Sequence, residues 1–483
     1  PAGCKNAVTT SRSATPGETR PGTGSPVHGP TGLIAPPGGD AEMTTNPPLR
    51  DTTSPDARQG LDVAAVLFGV VIVFLAQGIL GRVVQRAQQS FLPPGPGTHT
   101  LTGSTLMLPA LQVAVCTLFL IPWALLGDRY GPRLPYVGGL LVWALGVLAG
   151  SWSGSMEFLL TSYAFQAAGV AAVIPATLTV ITSAQPRPGG FLTGVVVAFP
   201  ALLQLPGSLI ADLLTRSTDW RATLLLVSGA AVPPLLLGWF AIPSGPATTG
   251  PDDDPPPERP AGRGRAVIQA LLLGAALAGV RIHLELSFAA HHGALRLSDS
   301  TEYARAHSGM VDFPFAAGLA VGFIAGAVFP GGHRKTVLGW VIAAPGPVMA
   351  SVPLLPSGSA VLTGSVLASV GLGIGLSGQL IALLRLADGN RTFRASALFQ
   401  VAQNLGYGVG IGLPVALILT LGEVVSPEAR GHLFLGYSLA LLVAGLVVAV
   451  RKPRERAAAQ RDGEEWKSHP TQLSQPRNPR QPE

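Results

Sequence analysis

Long apolar runs that carry almost no charge recur along the chain, and they restrict its fold more than any other feature. Twelve can be drawn: about 61–81, 102–127, 134–152, 157–183, 190–215 and 221–243, then 266–287, 309–330, 336–355, 358–385, 395–421 and 430–450. At a helical rise of ~1.5 Å per residue, each is long enough to cross ~30 Å of hydrocarbon. Charged residues make up 12% of the chain, against ~25% in soluble domains, too few to cover a water-facing surface. They gather in tails and short loops. The reading is an all-α polytopic membrane protein with twelve transmembrane helices. Runs five and eleven hold internal Pro and Gly and are expected to kink.

Residues 244–265, rich in Pro and charge, divide the runs six and six and read as a linker. The expected order is therefore a disordered tail over 1–60, a six-helix bundle over 61–243, the linker, a second bundle over 266–450 and a basic tail over 451–483. The first methionine is Met43, so residues 1–42 are expected to be dispensable. No apolar stretch in residues 1–60 has the form of a cleavable leader. Arg129, Arg133, Arg187, Arg259, Arg263, Arg265, Arg334, Lys335, Arg385, Arg391 and Arg394 outnumber by a modest margin those of the alternate loops, chiefly Arg82, Arg86, Arg216, Arg221, Arg296, Arg305 and Arg430. With the basic tail, this predicts both termini in the cytoplasm. The net charge of +6 follows from this arrangement, so no nucleic-acid partner is needed to explain it. The two cysteines, Cys4 and Cys116, suggest neither a disulfide framework nor a metal site.

One short loop stands out. In Ala124-Leu-Leu-Gly-Asp-Arg-Tyr-Gly-Pro-Arg133, Gly131 allows a tight reversal, Asp128 braces a helix end, and Arg129 and Arg133 favour the positive side of the bilayer. The loop resembles the signature between helices two and three of the major facilitator superfamily, usually written G-x-L-a-D-R-x-G-R-R. Leu126, Asp128, Arg129, Gly131 and Arg133 match it, while Ala124 replaces the first glycine and Pro132 a basic residue. The resemblance implies two six-helix bundles that rock about a central site, with this loop latching them in the outward-open state. A loop that only sets orientation is the alternative. Gly326–Lys335 is a degenerate second copy, which keeps Gly326, Arg334 and Lys335 but lacks the acid.

Further fragments are similar to multidrug exporters of that superfamily: Ser396–Gly410, Ile174–Thr177 and Asp219-Trp-Arg221. Two departures bear on mechanism. Phe165 stands where such exporters usually carry a fourth-helix arginine, and the fifth-helix glycine ladder survives only as Gly194, Pro200 and Pro206-Gly207.

Polar groups inside the apolar runs point to a pathway, because leaving them unsatisfied in lipid costs several kcal/mol. Gln77, Gln166, Gln379, Gln403, Asn404 and Tyr407 are the expected substrate cavity, on helices that line it in the family. Amide bonds between helices are the alternative for each glutamine. Arg281 and Glu285 are four apart and share a helical face, while His283 points elsewhere. They form either a charge pair remade during transport or a snorkelling pair at the outer interface. Asp212 and Asp312 are coupling candidates or interface caps. Glycines at 371, 373, 375 and 378, then at 406, 408, 410 and 412, provide either a sliding seam or plain close packing.

These features predict a transporter of the plasma membrane, acting as a monomer without cofactor, that exports a small amphipathic drug or metabolite by alternating access with proton exchange. Uptake or facilitated diffusion of a small polar solute is the alternative within transport. A non-transporting membrane sensor or scaffold is the alternative outside it. No Ser-Lys dyad, His-Glu-x-x-His run or paired Asp arrangement within the helices suggests an enzyme.

Overall fold

The computed structural model describes residues 55–91, 101–184, 191–245, 263–291, 308–329, 332–351, 357–385, 392–421 and 427–450. The expected tails before residue 55 and after 450, including Cys4, and most of the expected linker lie outside the described residues.

Among those residues the chain is helical throughout, without strands. The first half holds α1 (Pro55–Phe91), α2 (Leu101–Tyr130), α3 (Arg133–Ser151), α4 (Met156–Ala184), α5 (Phe191–Ser217), α6 (Trp220–Gly229) and α7 (Val232–Ala241). The second holds α8 (Arg263–His291), α9 (Ser308–Val328), α10 (Gly332–Ala343), α11 (Pro345–Ser351), α12 (Ser357–Arg385), α13 (Thr392–Leu421) and α14 (Pro427–Val450). Nine stretches among the described residues are long and apolar enough to cross a membrane. Helix α1 begins at Pro55, inside the expected tail.

The described part of each apolar run lies mainly on helix, and two of the runs are divided. Runs five and eleven are the continuous helices α5, with Pro200 and Pro206 inside it, and α13, with Pro414. The sixth run instead divides into α6 and α7, and the ninth into α10 and α11. Pro233 and Pro234 stand at the start of α7, and Pro345 and Pro347 at the start of α11. Closely spaced prolines at a helix start lack the N–H groups that would continue the preceding turns.

Packing repeats between the halves. In the first, α1 lies against α5, and α4 against α2 and α3. In the second, α8 lies against α13, and α12 against α9 and α10. Equivalent glycines mark the match. A side chain at Gly169 of α4 would sit 2.5 Å from the Gly139 carbonyl of α3, and one at Gly371 of α12 would sit 2.5 Å from the Gly339 carbonyl of α10. Without side chains these backbones meet closely, the usual basis of helix association in lipid. The two halves join through α2 with α13, α5 with α9, and α4 with α13.

The glycine ladders prove to be sets of differently directed contacts. On α12, Gly371 faces α10, Gly373 the Leu319 carbonyl of α9, and Gly375 the Leu273 side chain of α8. On α13, Gly406 and Gly410 press on α8, whereas Gly408 and Gly412 meet nothing. Helix α12 is thus packed on several faces, and this requires small residues all round it.

Candidate functional site

The short loop lies where the halves touch. Asp128, in the last turn of α2, forms an ion pair with Arg394 in the first turn of α13. Next to it the Phe393 ring lies over Gly127, where a Cβ would be 2.6 Å away. Across the same end of the protein, Gly194 of α5 is the counterpart: a Cβ there would sit 2.6 Å from Ala327 of α9. One seam between the halves is therefore charged and aromatic, and the other is made of small residues.

The remaining loop residues hold its shape. Gly131 has a φ of 80°, a region open to glycine, and any side chain there would run into the Gly245 carbonyl. The Arg133 guanidinium stands 4.5 Å from the Trp239 ring centre of α7, and Arg129 stands 5.4 Å from that of Tyr130. These contacts bind the loop to its own half, leaving Asp128 to reach the other. In the degenerate copy, Lys335 of α10 instead donates to the Gly326 carbonyl of α9 at 2.7 Å, within the second half.

A charged cluster lies in the second half. Arg281 of α8 donates through Nε to Glu285 at 2.9 Å, and its Nη2 lies 2.8 Å from Asp312 of α9. Two carboxylates thus share one guanidinium. The side chains are 26–37% exposed, so this is not a sealed core pair. Asp312, read from the sequence as a coupling candidate or an interface cap, stands with Arg281 and Glu285. Tyr407 of α13 lies within electrostatic reach of Arg281. His283 points away from the cluster, buried with Nε2 2.9 Å from Ser351 Oγ and 3.2 Å from the Pro347 carbonyl of α11.

A neutral cluster lies in the first half. The Tyr163 hydroxyl of α4 donates to Gln112 Oε1 of α2 at 2.8 Å, and Gln112 Nε2 donates to Gln77 Oε1 of α1 at 3.3 Å. Sequence reasoning had singled out Gln77 but neither partner. Gln112 is an amide inside the second apolar run, so the same rule could have found it.

The other expected cavity residues separate. Gln166 is buried under Gly146 of α3, and Gln379 donates to Thr336 of α10 at 2.6 Å. Both occupy seams within a half. Gln403 and Asn404 are half-buried on α13, and no side-chain hydrogen bond of theirs is formed among the described residues. Asp212 is half-buried on α5 and joins neither cluster.

Chemically, a guanidinium between two carboxylates leaves one negative charge when all three are ionised. A carboxylate there can take up a proton while Arg281 keeps the other as partner. The cluster can therefore bind and release a proton, or a cation, without stranding its arginine.

A model of the Major Facilitator Superfamily matches residues 63–411. The cephamycin export protein CmcT of Amycolatopsis lactamdurans is 31% identical over 23% of this chain and 24% of its own length. The multidrug resistance protein Stp of Mycobacterium tuberculosis (strain CDC 1551 / Oshkosh) is 27% identical over 34% of this chain and 30% of its own. The matches thus span less than a third of either relative. Among solved structures, the human organic anion transporter MFSD10 (TETRAN) superposes with a TM-score of 0.64 at 13% identity, over 82% of this chain and all of that one. The proton:xylose symporter XylE superposes with a TM-score of 0.59 at 14% identity, over 80% of this chain and 95% of that one. At such identity these structures speak for the fold alone. With the family model spanning most of the helical region, two repeated halves and a loop that joins them, the chain is a multi-pass membrane transporter that belongs to the Major Facilitator Superfamily.

Proposed function

We propose that this transporter exports a small amphipathic drug or metabolite across the plasma membrane by alternating access, in exchange for protons. The observation that carries the reading is the sharing of Arg281 between Glu285 and Asp312. Its surplus negative charge suits a site that is protonated in one part of the cycle and released in another. Gln77, Gln403, Asn404 and Tyr407 supply an uncharged lining, which suits a weakly polar solute better than a multivalent anion. The two sequence relatives, named as a cephamycin export protein and a multidrug resistance protein, support export.

Both termini are taken as cytoplasmic, from the placement of arginine and lysine. The Asp128–Arg394 seam then lies at the cytoplasmic end, in keeping with a latch of the outward-facing state. Opening that end requires the ion pair to break and α2 to part from α13.

Reconstitution into proteoliposomes with an imposed pH gradient tests the reading. Uphill movement of amphipathic dyes against the proton flow, lost in Asp312→Asn, is the expected result. Sugar counterflow that needs no gradient would replace it with facilitated diffusion, and no transport of any solute would favour a sensor or scaffold.

A further inference from the structure

Gln112 and Asp312 hold the same place in the two repeats. The spacing comes from the contacts: Gly139 and Gly339 play the same part, 200 residues apart, as do Gly146 and Gly346, and Gly127 and Ala327 lie at the two seams with the same spacing. Applied along α2 and α9, it pairs Gln112 with Asp312. Each then anchors the polar cluster of its half. One cluster is built on a carboxylate and carries charge, and its twin is built on an amide and carries none.

The neutral cluster has a direction. Tyr163 donates to Gln112, and Gln112 donates to Gln77. Each bond polarises the next, and the chain ends on the Gln77 side-chain Nε2, which carries two donor hydrogens and has no acceptor among the described residues. A cluster serving only to hold α1, α2 and α4 together would end on a backbone or side-chain acceptor. Elsewhere α2 and α4 are joined by such a bond, from Trp123 Nε1 to the Ala168 carbonyl at 2.8 Å. The cluster instead ends on an unused donor, and its complement is an acceptor that brings no formal charge.

We propose that Gln77, Gln112 and Tyr163 form a subsite in the first half that holds an uncharged acceptor oxygen of the solute, of the carbonyl type found in amides and esters. This deepens the transport reading and rests on it. The solute's acceptor sits in the first half, while the exchangeable charge is handled by the twin position in the second. Selection for the carbonyl and coupling to protons are then separable functions.

The test uses two dyes with the same monocationic ring system, tetramethylrhodamine methyl ester and tetramethylrosamine, which differ by the ester group. Binding to the purified full chain in detergent is read by fluorescence anisotropy. The parent protein is expected to bind the ester dye about two- to tenfold more tightly, the worth of one net hydrogen bond. That ratio should fall to about one in Gln77→Leu and in Gln112→Leu. Gln112→Asn, which keeps an amide but shortens the bridge, guards against loss through misfolding and should lower it too. Equal affinity of the parent for the two dyes, binding of neither, or a ratio that persists in the glutamine variants overturns the subsite. Gradient-driven movement of the dyes is measured separately in proteoliposomes. A clear binding ratio without such movement would keep the subsite and remove the proton-exchange reading.

Discussion

Asp128 of α2 and Arg394 of α13 form an ion pair from one half of the protein to the other. Asp128 is 14% exposed and Arg394 50%, so solvent screens the pair on one side. Its contribution to the contact between the halves is on the order of 1 kcal/mol. Two-state equilibria respond to energies of that size by about fivefold.

Replacing Asp128 with Asn keeps its shape and removes the charge. The variant should insert normally, transport slowly or not at all, and open more readily at the Asp128 end. Ala327 is buried beside Gly194 at that end. In an Ala327→Cys probe with Cys4 and Cys116 changed to Ser, thiol labelling should rise about fivefold on adding Asp128→Asn. Parental transport and labelling would remove the latch.

The shared arginine makes a prediction that an isolated pair would not. If Arg281 and Glu285 acted alone, exchanging them should recover function. With Asp312 2.8 Å from the guanidinium, the exchanged protein sets Asp312 against a new acid at position 281. Arg281→Glu with Glu285→Arg should therefore remain inactive and unfold at a lower temperature than the parent, and adding Asp312→Asn should restore part of that stability without restoring uphill transport. Recovery without the third change would detach Asp312 from the cluster.

Arg281→Ala should be the most damaging single change there, because it leaves two carboxylates facing one another. A loss of about 1–3 kcal/mol in stability is expected, allowing for the partial exposure of the three groups. Adding Asp312→Asn should return some of it. Thermal unfolding in detergent measures both effects.

Glycines with and without neighbours should respond oppositely to alanine. Gly169→Ala and Gly371→Ala place a methyl 2.5 Å from a carbonyl oxygen and should cost about 1–3 kcal/mol each. Gly408→Ala and Gly412→Ala meet nothing within 4 Å and should leave stability and transport near parental values. A sliding role for all eight glycines predicts instead that the second pair also slows transport.

Gln379 gives a further contrast with the proposed cavity residues. Its amide is used on Thr336, between α12 and α10. Gln379→Leu should lower stability by about 1 kcal/mol and leave the apparent affinity for solute unchanged. A shift in KM at parental stability would return Gln379 to the pathway.

The sequence by itself determined the helical membrane class, the transporter family and the loop at which the halves meet. Such features are local or additive: a run of apolar residues is long enough or it is not, and Gly131 reverses the chain within its own turn. Which face of each helix turns inward was beyond its reach. In water an apolar stripe marks the buried side, but in lipid the outer face is as apolar as the inner one, so the pattern loses its direction. Gln77 and Gln166 therefore looked alike as lone amides in apolar runs, and only packing sent one into a three-helix cluster and the other under Gly146. Tertiary structure also decided the ion pairs. Arg281 and Glu285 lie four residues apart on one helix and could be paired on paper. Asp312 and Arg394 met their partners only because separate helices, each satisfying its own backbone, were brought together through glycine-lined seams.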